Sequence, residues 1–256
     1  MPSLELTREQ SCFERSQEKC DTVISKYPTK FQQDLGELID LIMKKIIILT
    51  LGVFTFVSCM KAQVAKDVFS CKEIVWYGLD FSKAKFVGQF DQGMGASPAS
   101  GSTMRSKWIP EWNALILKEP QHFDIKKAFR KDNVYNDVAP VNVVNSQMDI
   151  DNCMVFNPGK IERNEIDAMV KKYKGGDKKE GVGLVFIIEN FNKGAENADV
   201  YVTFFDIATK KVLICEKTSG KVIGVGMRNY WAGAIKAILK QIDKFDYQTW
   251  KSKYTS

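Results

Sequence analysis

Gly183-Leu184-Val185-Phe186-Ile187-Ile188-Glu189 is an unbroken apolar run closed by a single acid. Such a run, with no polar alternation, is expected of a strand covered on both faces. The residues after it extend the pattern. Val200-Tyr201-Val202-Thr203-Phe204-Phe205-Asp206 reads as a second strand, Ile207-Ala208-Thr209-Lys210 as a turn, and Lys211 to Lys217 as the returning arm of a β-hairpin. Lys221 to Gly226 is expected to add a short further strand. Arg228 to Lys244 follows as the longest helix. Its Trp231, Ala234, Ile235, Ile238, Leu239 and Ile242 recur at three and four, and Lys236, Lys240 and Lys244 take the opposite side. That helix must pack its apolar stripe on the sheet.

Toward the N-terminus, Ile161 to Tyr173 carries a helical stripe of Ile166, Met169, Val170 and Tyr173, stopped by Gly175-Gly176. Val134 to Val144 alternates in part and reads as a strand broken at Pro140, which places it at an edge or bulge. Helices are expected from Trp108, with Pro110 in the first turn, and from Phe123 through Phe129. Between residues 91 and 107 glycine and serine dominate, which predicts a long flexible loop. Ile74-Val75-Trp76-Tyr77-Gly78-Leu79-Asp80-Phe81 is rich in β-branched and aromatic residues and reads as the first strand, with Phe86-Val87 either continuing it or opening a loop. The order predicts an α/β fold: one domain, a mixed sheet of about five strands with helices packed on it, and a C-terminal hairpin followed by a long amphipathic helix.

The beginning of the chain has a different character. Met43-Lys44-Lys45 precedes the twelve apolar residues Ile46 to Val57, and Ser58-Cys59 closes the stretch. Two lysines, a short apolar run and a small residue are the parts of an export signal. A membrane-spanning helix needs about 18 or more apolar residues, so this run suits a translocon better than a permanent anchor. Residues 1–42 are polar and charge-balanced. They read as an upstream extension of the gene with Met43 as the true start, or alternatively as an amphipathic segment through Leu35, Leu38, Ile39, Leu41 and Ile42. Phe56-Val57-Ser58-Cys59 resembles a bacterial lipobox, which would make Cys59 the acylated first residue; Phe56 stands where leucine is usual. The rival cut follows Ala62. Domain expectations are therefore 1–42 as extension, 43–62 as signal and lipobox region, and 63–256 as a single α/β domain.

Lys and Arg number 37 against 31 Asp and Glu, and residues 1–62 hold eight of each, so the excess of six belongs to the mature part. The lysine pairs Lys171-Lys172, Lys178-Lys179 and Lys210-Lys211 lie beside turns and read as solvated edges, with no motif for nucleic acid beside them. Of the six cysteines, Cys71, Cys153 and Cys215 fall in the mature part; their wide spacing shows no disulfide framework. His122 is the only histidine, which removes multi-histidine metal sites, and no metal or cofactor is expected.

Candidate chemistry is sparse. Asp80 and Asp206 each end a strand and form a candidate acid pair, with His122 as a further candidate base; the alternative is that both acids cap turns. Trp108 and Trp112 flank the glycine-serine loop as a candidate stacking platform for a glycan or peptide, or else belong to the core. Gly224-Val225-Gly226-Met227-Arg228-Asn229 shares two glycines with a dinucleotide fingerprint but has Asn229 at the third position; an anion beside Arg228 and Asn229 is the remaining ligand reading.

The lysine-led signal, the Ser58-Cys59-Met60-Lys61-Ala62-Gln63 junction and the α/β domain resemble uncharacterised exported proteins and lipoproteins of Bacteroidota. Val200 to Ile242, a hairpin and an amphipathic helix, is similar to the α/β domains of envelope assembly factors such as the curli-secretion lipoprotein and the TolB N-terminal domain. The resemblance implies a periplasm-facing, lipid-anchored accessory or assembly protein without catalysis, partnered by the membrane and by another envelope protein or a glycan. A glycan- or peptide-binding module and a hydrolase are the alternatives, as is a soluble periplasmic or secreted location.

Overall fold

The computed structural model describes residues 37–38, 41–45, 64–91 and 96–256. The chain divides into two compact units, Met1–Lys61 and Ala62–Ser256. In the first, residues 37–38 and 41–45 are helical, and the apolar run 46–57 and Cys59 lie outside the described residues.

The second unit is a mixed α/β fold of seven strands in one sheet. Its axis is β5 (Val182–Asn192), the run predicted to be covered on both faces. Along one edge, β6 (Asn197–Asp206) pairs antiparallel with the whole of β5, and β7 (Val212–Lys221) pairs antiparallel with β6. Along the other edge, β1 (Glu73–Asp80) lies parallel to Gly183–Ile187 and β2 (Lys85–Val87) to Asn190–Asn192. Outside these, β3 (Asn133–Asn136) pairs parallel with β1, and β4 (Met154–Val155) with β2. The seven strands thus fill five lanes, because β1 with β2 and β3 with β4 each share one.

Side-chain alternation splits the core in two. On β5, Leu184, Phe186 and Ile188 face the larger core, and Val185 and Ile187 the smaller. The larger is covered by α2 (Ile109–Lys118), α3 (Ile125–Ala128), α6 (Met227–Gln241) and α7 (Tyr247–Thr255); α1 (Asp67–Ser70) adds Val68. The smaller is covered by α4 (Ala139–Ser146) and α5 (Arg163–Val170). On α6, Trp231, Ala234, Ile235, Ile238 and Leu239 are buried as the periodicity predicts. Each large side chain so buried contributes roughly 1.5–3 kcal/mol.

Three expectations are corrected. Pro140 breaks no strand. It opens α4, where its fixed φ suits a first turn and its missing N–H costs nothing, and burial of Val141 and Val144 holds Val-Asn-Val-Val helical against its β propensity. The glycine-serine stretch is not a loop throughout: residues 101–108 are helical, continuous with α2 through a wide π turn at Met104–Trp108. The Ser100 side chain accepts from the Thr103 N–H at 3.2 Å and Met104 is fully buried, so a cap and an anchor outweigh the composition. Residues 92–95 of that stretch lie outside the described residues. Lys221 to Gly226 makes no separate strand but ends β7 and turns into α6.

Candidate functional site

The carboxyl end of β1 is where the chain places its most unusual polar groups. Pairing with β3 stops at Trp76, and the strand bulges before Gly78. Gly78 sits at φ 99°, and a β-carbon there would lie 2.5 Å from Asn113 Oδ1, so only glycine serves. With no neighbouring strand on that side, two buried asparagines from flanking helices supply the missing partners. Asn113 of α2 accepts from the Leu79 N–H at 2.8 Å and donates to the Leu79 carbonyl at 3.1 Å. Asn145 of α4 accepts from the Phe81 N–H at 2.7 Å and donates to the Leu79 carbonyl at 2.9 Å. A cleft of about 360 Å³ between α2 and α4 reaches these amides, with Arg105 and Asn142 at its rim. Its buried amides are already engaged by the β1 backbone.

Asp80 is fully buried. It accepts from the Tyr173 hydroxyl and from the Ser82 N–H, and burial raises its pKa against the opposing pull of those bonds. Tyr173 is pushed well above the usual phenol range by burial and by the Asp80 charge. Beside it, Tyr77 is buried with its hydroxyl unpartnered among the described residues, and burial followed by the Asp137 charge pushes it up to about 12. Asp137 accepts from the Asp177 N–H at 2.7 Å.

Further along the same face, Glu189 is buried on the bulge of β5. It accepts from the Ile161 N–H at 2.9 Å, from the Tyr201 hydroxyl at 3.2 Å and from the ammonium of Lys217, which pairs with it. Burial and then the Glu189 charge push Tyr201 up to about 12. Asn190 clasps Gly159 through both backbone groups. Together these bonds pin residues 159–161 over the sheet. The lone acid closing the 183–189 run was the sequence signal for this network, and it passed unread.

The candidates named from sequence fall apart spatially. Asp80 pairs with Ile187 and Asp206 with Val182, five residues apart on β5. At about 3.3 Å per residue the offset along β5 alone is about 16 Å, and the two acids lie on strands either side of it, so they stand beyond the roughly 5–10 Å that two-carboxylate hydrolysis uses. Asp206 instead accepts from the Thr209 N–H at 2.7 Å and its hydroxyl at 2.9 Å, capping the turn. Trp108 and Trp112 are 7% and 1% exposed in the larger core, where Trp112 stacks on Phe81 and Phe86 and meets Phe191 edge-on and Trp108 stacks on Trp112, so neither offers a platform face. The Trp112 indole N–H donates to the Arg228 carbonyl at 3.1 Å, which locks α2 to the start of α6. Arg228 and Asn229 are exposed and bond each other at 3.1 Å. His122 is exposed on the turn before α3. Cys71, Cys153 and Cys215 are free thiols.

One further feature went unpredicted. The outer side of α6 and the turn after it border a groove of about 600 Å³. Its floor includes Ala237 and Gly233, where Ile223 crosses so closely that a β-carbon on Gly233 would lie 1.9 Å from the Ile223 carbonyl oxygen. Lys236, Lys240 and Lys244 line it, with the exposed side chains of Ile223 and Phe245. Among the described residues, no group of His, Cys, Asp and Glu is arranged to hold a metal ion, and no helix is long and apolar enough to cross a membrane. Compared with known proteins, the chain matches no family model and no curated protein sequence.

Proposed function

We propose that the chain is exported and held at the cell envelope by a lipid on Cys59, and that residues 62–256 serve there as a non-catalytic accessory or assembly domain. One observation carries the reading: the lysine-led apolar stretch Met43 to Val57 and the Ser58-Cys59 junction stand immediately before the compact unit that begins at Ala62. Cleavage before Cys59 would leave a three-residue link to that unit. The non-catalytic half of the reading is supported by how the buried acids are used. Asp80 and Glu189 spend their oxygens on internal donors and hold loops in place.

The test is metabolic labelling with a fatty acid in producing cells, followed by fractionation. The chain is expected to carry label and to sediment with membranes through a high-salt wash, and Cys59→Ser is expected to lose the label and be released to the soluble fraction by that wash. An unlabelled wild-type chain in the cytosol rejects the reading.

A further inference from the structure

The geometry points to the α6 groove as a membrane-contact face: we infer that Lys236, Lys240 and Lys244, with Ile223, Val225 and Phe245, seat the domain directly on an anionic phospholipid surface. The inference rests on the tethered reading, since a lipid on Cys59 would bring the domain to a bilayer.

Three observations carry it. The lysines recur every fourth residue, share one side of the helix, are all exposed, and have no ion pair among the described residues. One acid, Asp246, also lines the groove and accepts from Gln241 Nε2 at 3.0 Å; three ammonium groups against one carboxylate leave the stripe positive. Large apolar side chains project at the groove, with Ile223 68% and Phe245 67% exposed, and Val225, two residues after Ile223 in the loop leading to α6, is 90% exposed. Projecting apolar tips among lysines match the boundary between headgroups and acyl chains, where lysines reach phosphates and the tips enter the hydrocarbon edge. A fluid layer accepts such tips without a preformed pocket. A second copy meeting the same face about a twofold axis would set lysines against lysines. An acidic helix of a partner protein is the remaining occupant, and vesicle binding separates it from a lipid surface.

The experiment uses the full chain carrying Cys59→Ser, so that no acyl chain contributes, with phosphatidylcholine vesicles made with and without phosphatidylglycerol. The Lys236→Glu/Lys240→Glu/Lys244→Glu variant is expected to lose about a hundredfold in partition onto the anionic vesicles, at about tenfold or less per lysine, and nothing on the neutral ones. The gap should close in high salt. Ile223→Ser/Phe245→Ser is expected to lose about tenfold or more on the anionic vesicles. If the triple variant fails to fold, Lys240→Glu alone should still lose about fivefold. Equal partition of variant and parent overturns the inference. So does light scattering that shows a parent dimer dissolved by the lysine changes, which would make a second copy the occupant. An acylated Cys59 together with lysine-independent partition overturns this inference alone and leaves the tethered reading standing.

Discussion

The two faces of the sheet are built on different physics. The α2/α6 face is an aromatic stack: Trp112 lies against Phe81, Phe86 and Phe191, and Phe191 stacks on Trp231 at 4.6 Å between centroids. The α4/α5 face has fewer apolar residues and carries the buried polar groups Asp80, Tyr77, Tyr173 and Glu189. The first face makes the fold stable by area and packing. The second fixes where the loops run, and it does so with charges whose burial costs free energy.

Substitutions on the two faces should therefore differ in size and in kind. The largest effect is expected at the aromatic stack. Trp112→Ala removes a 1%-exposed side chain of α2 with ring neighbours on β5 and β2, and should lower unfolding free energy by about 3–5 kcal/mol in denaturant titration. Glu189→Ala comes next. It strands the Ile161 N–H, leaves the Tyr201 hydroxyl with the Ile161 carbonyl at 3.1 Å, and should cost about 2–3 kcal/mol, with new proteolytic sensitivity at residues 156–162. A loss at Glu189 as large as that at Trp112 would erase the distinction between the faces.

Gly233→Ala tests the seam between α6 and the loop before it. Helix propensity favours alanine by about 1 kcal/mol, but the 1.9 Å approach to the Ile223 carbonyl oxygen demands a shift, so a net loss of about 1–2 kcal/mol is expected.

Asp80→Asn gives a change of shape with pH. The folded-state pKa of Asp80 is raised above its ordinary value of 3.8, so the folded protein binds more protons than the unfolded chain in the window above that value. Its contribution is full below the unfolded pKa and is lost as pH rises through the folded one. Chemical denaturation at stepped pH should show wild-type stability falling relative to the asparagine variant across that window; parallel curves would remove Asp80 as a strained group. The smallest stability effect is expected from the lysine reversals on α6, within about 0.5 kcal/mol of wild type, because those side chains are exposed.

How much of this was legible in the sequence follows from what periodicity can see. The 183–189 run and the stripe of α6 were readable because burial on two faces, or on one helix face, leaves its mark within a few residues. Pro140 was misread because proline suits both a strand edge and a helix start, and only the core that receives Val141 and Val144 decides between them. Trp108 and Trp112 beside a glycine-serine stretch suggested a binding platform. Whether a tryptophan faces a ligand or a core depends on strands far away in sequence, here Phe81 and Phe191. Asn113 and Asn145 were invisible for the same reason, since their partners on β1 lie 34 and 64–66 residues away. The α6 groove could have been read further. Ile223, Val225 and Phe245 sit in polar or glycine-rich surroundings and extend no apolar stripe, which marks them as surface groups beside a lysine face already recognised.

The account stands on removal of a leader before the α/β domain, and intact mass spectrometry of the chain recovered from its producing cells addresses that most directly. The account predicts a species that begins at Cys59 and carries acyl chains on that residue. A species that retains residues 1–58, or begins at an unmodified Gln63, contradicts the lipid tether.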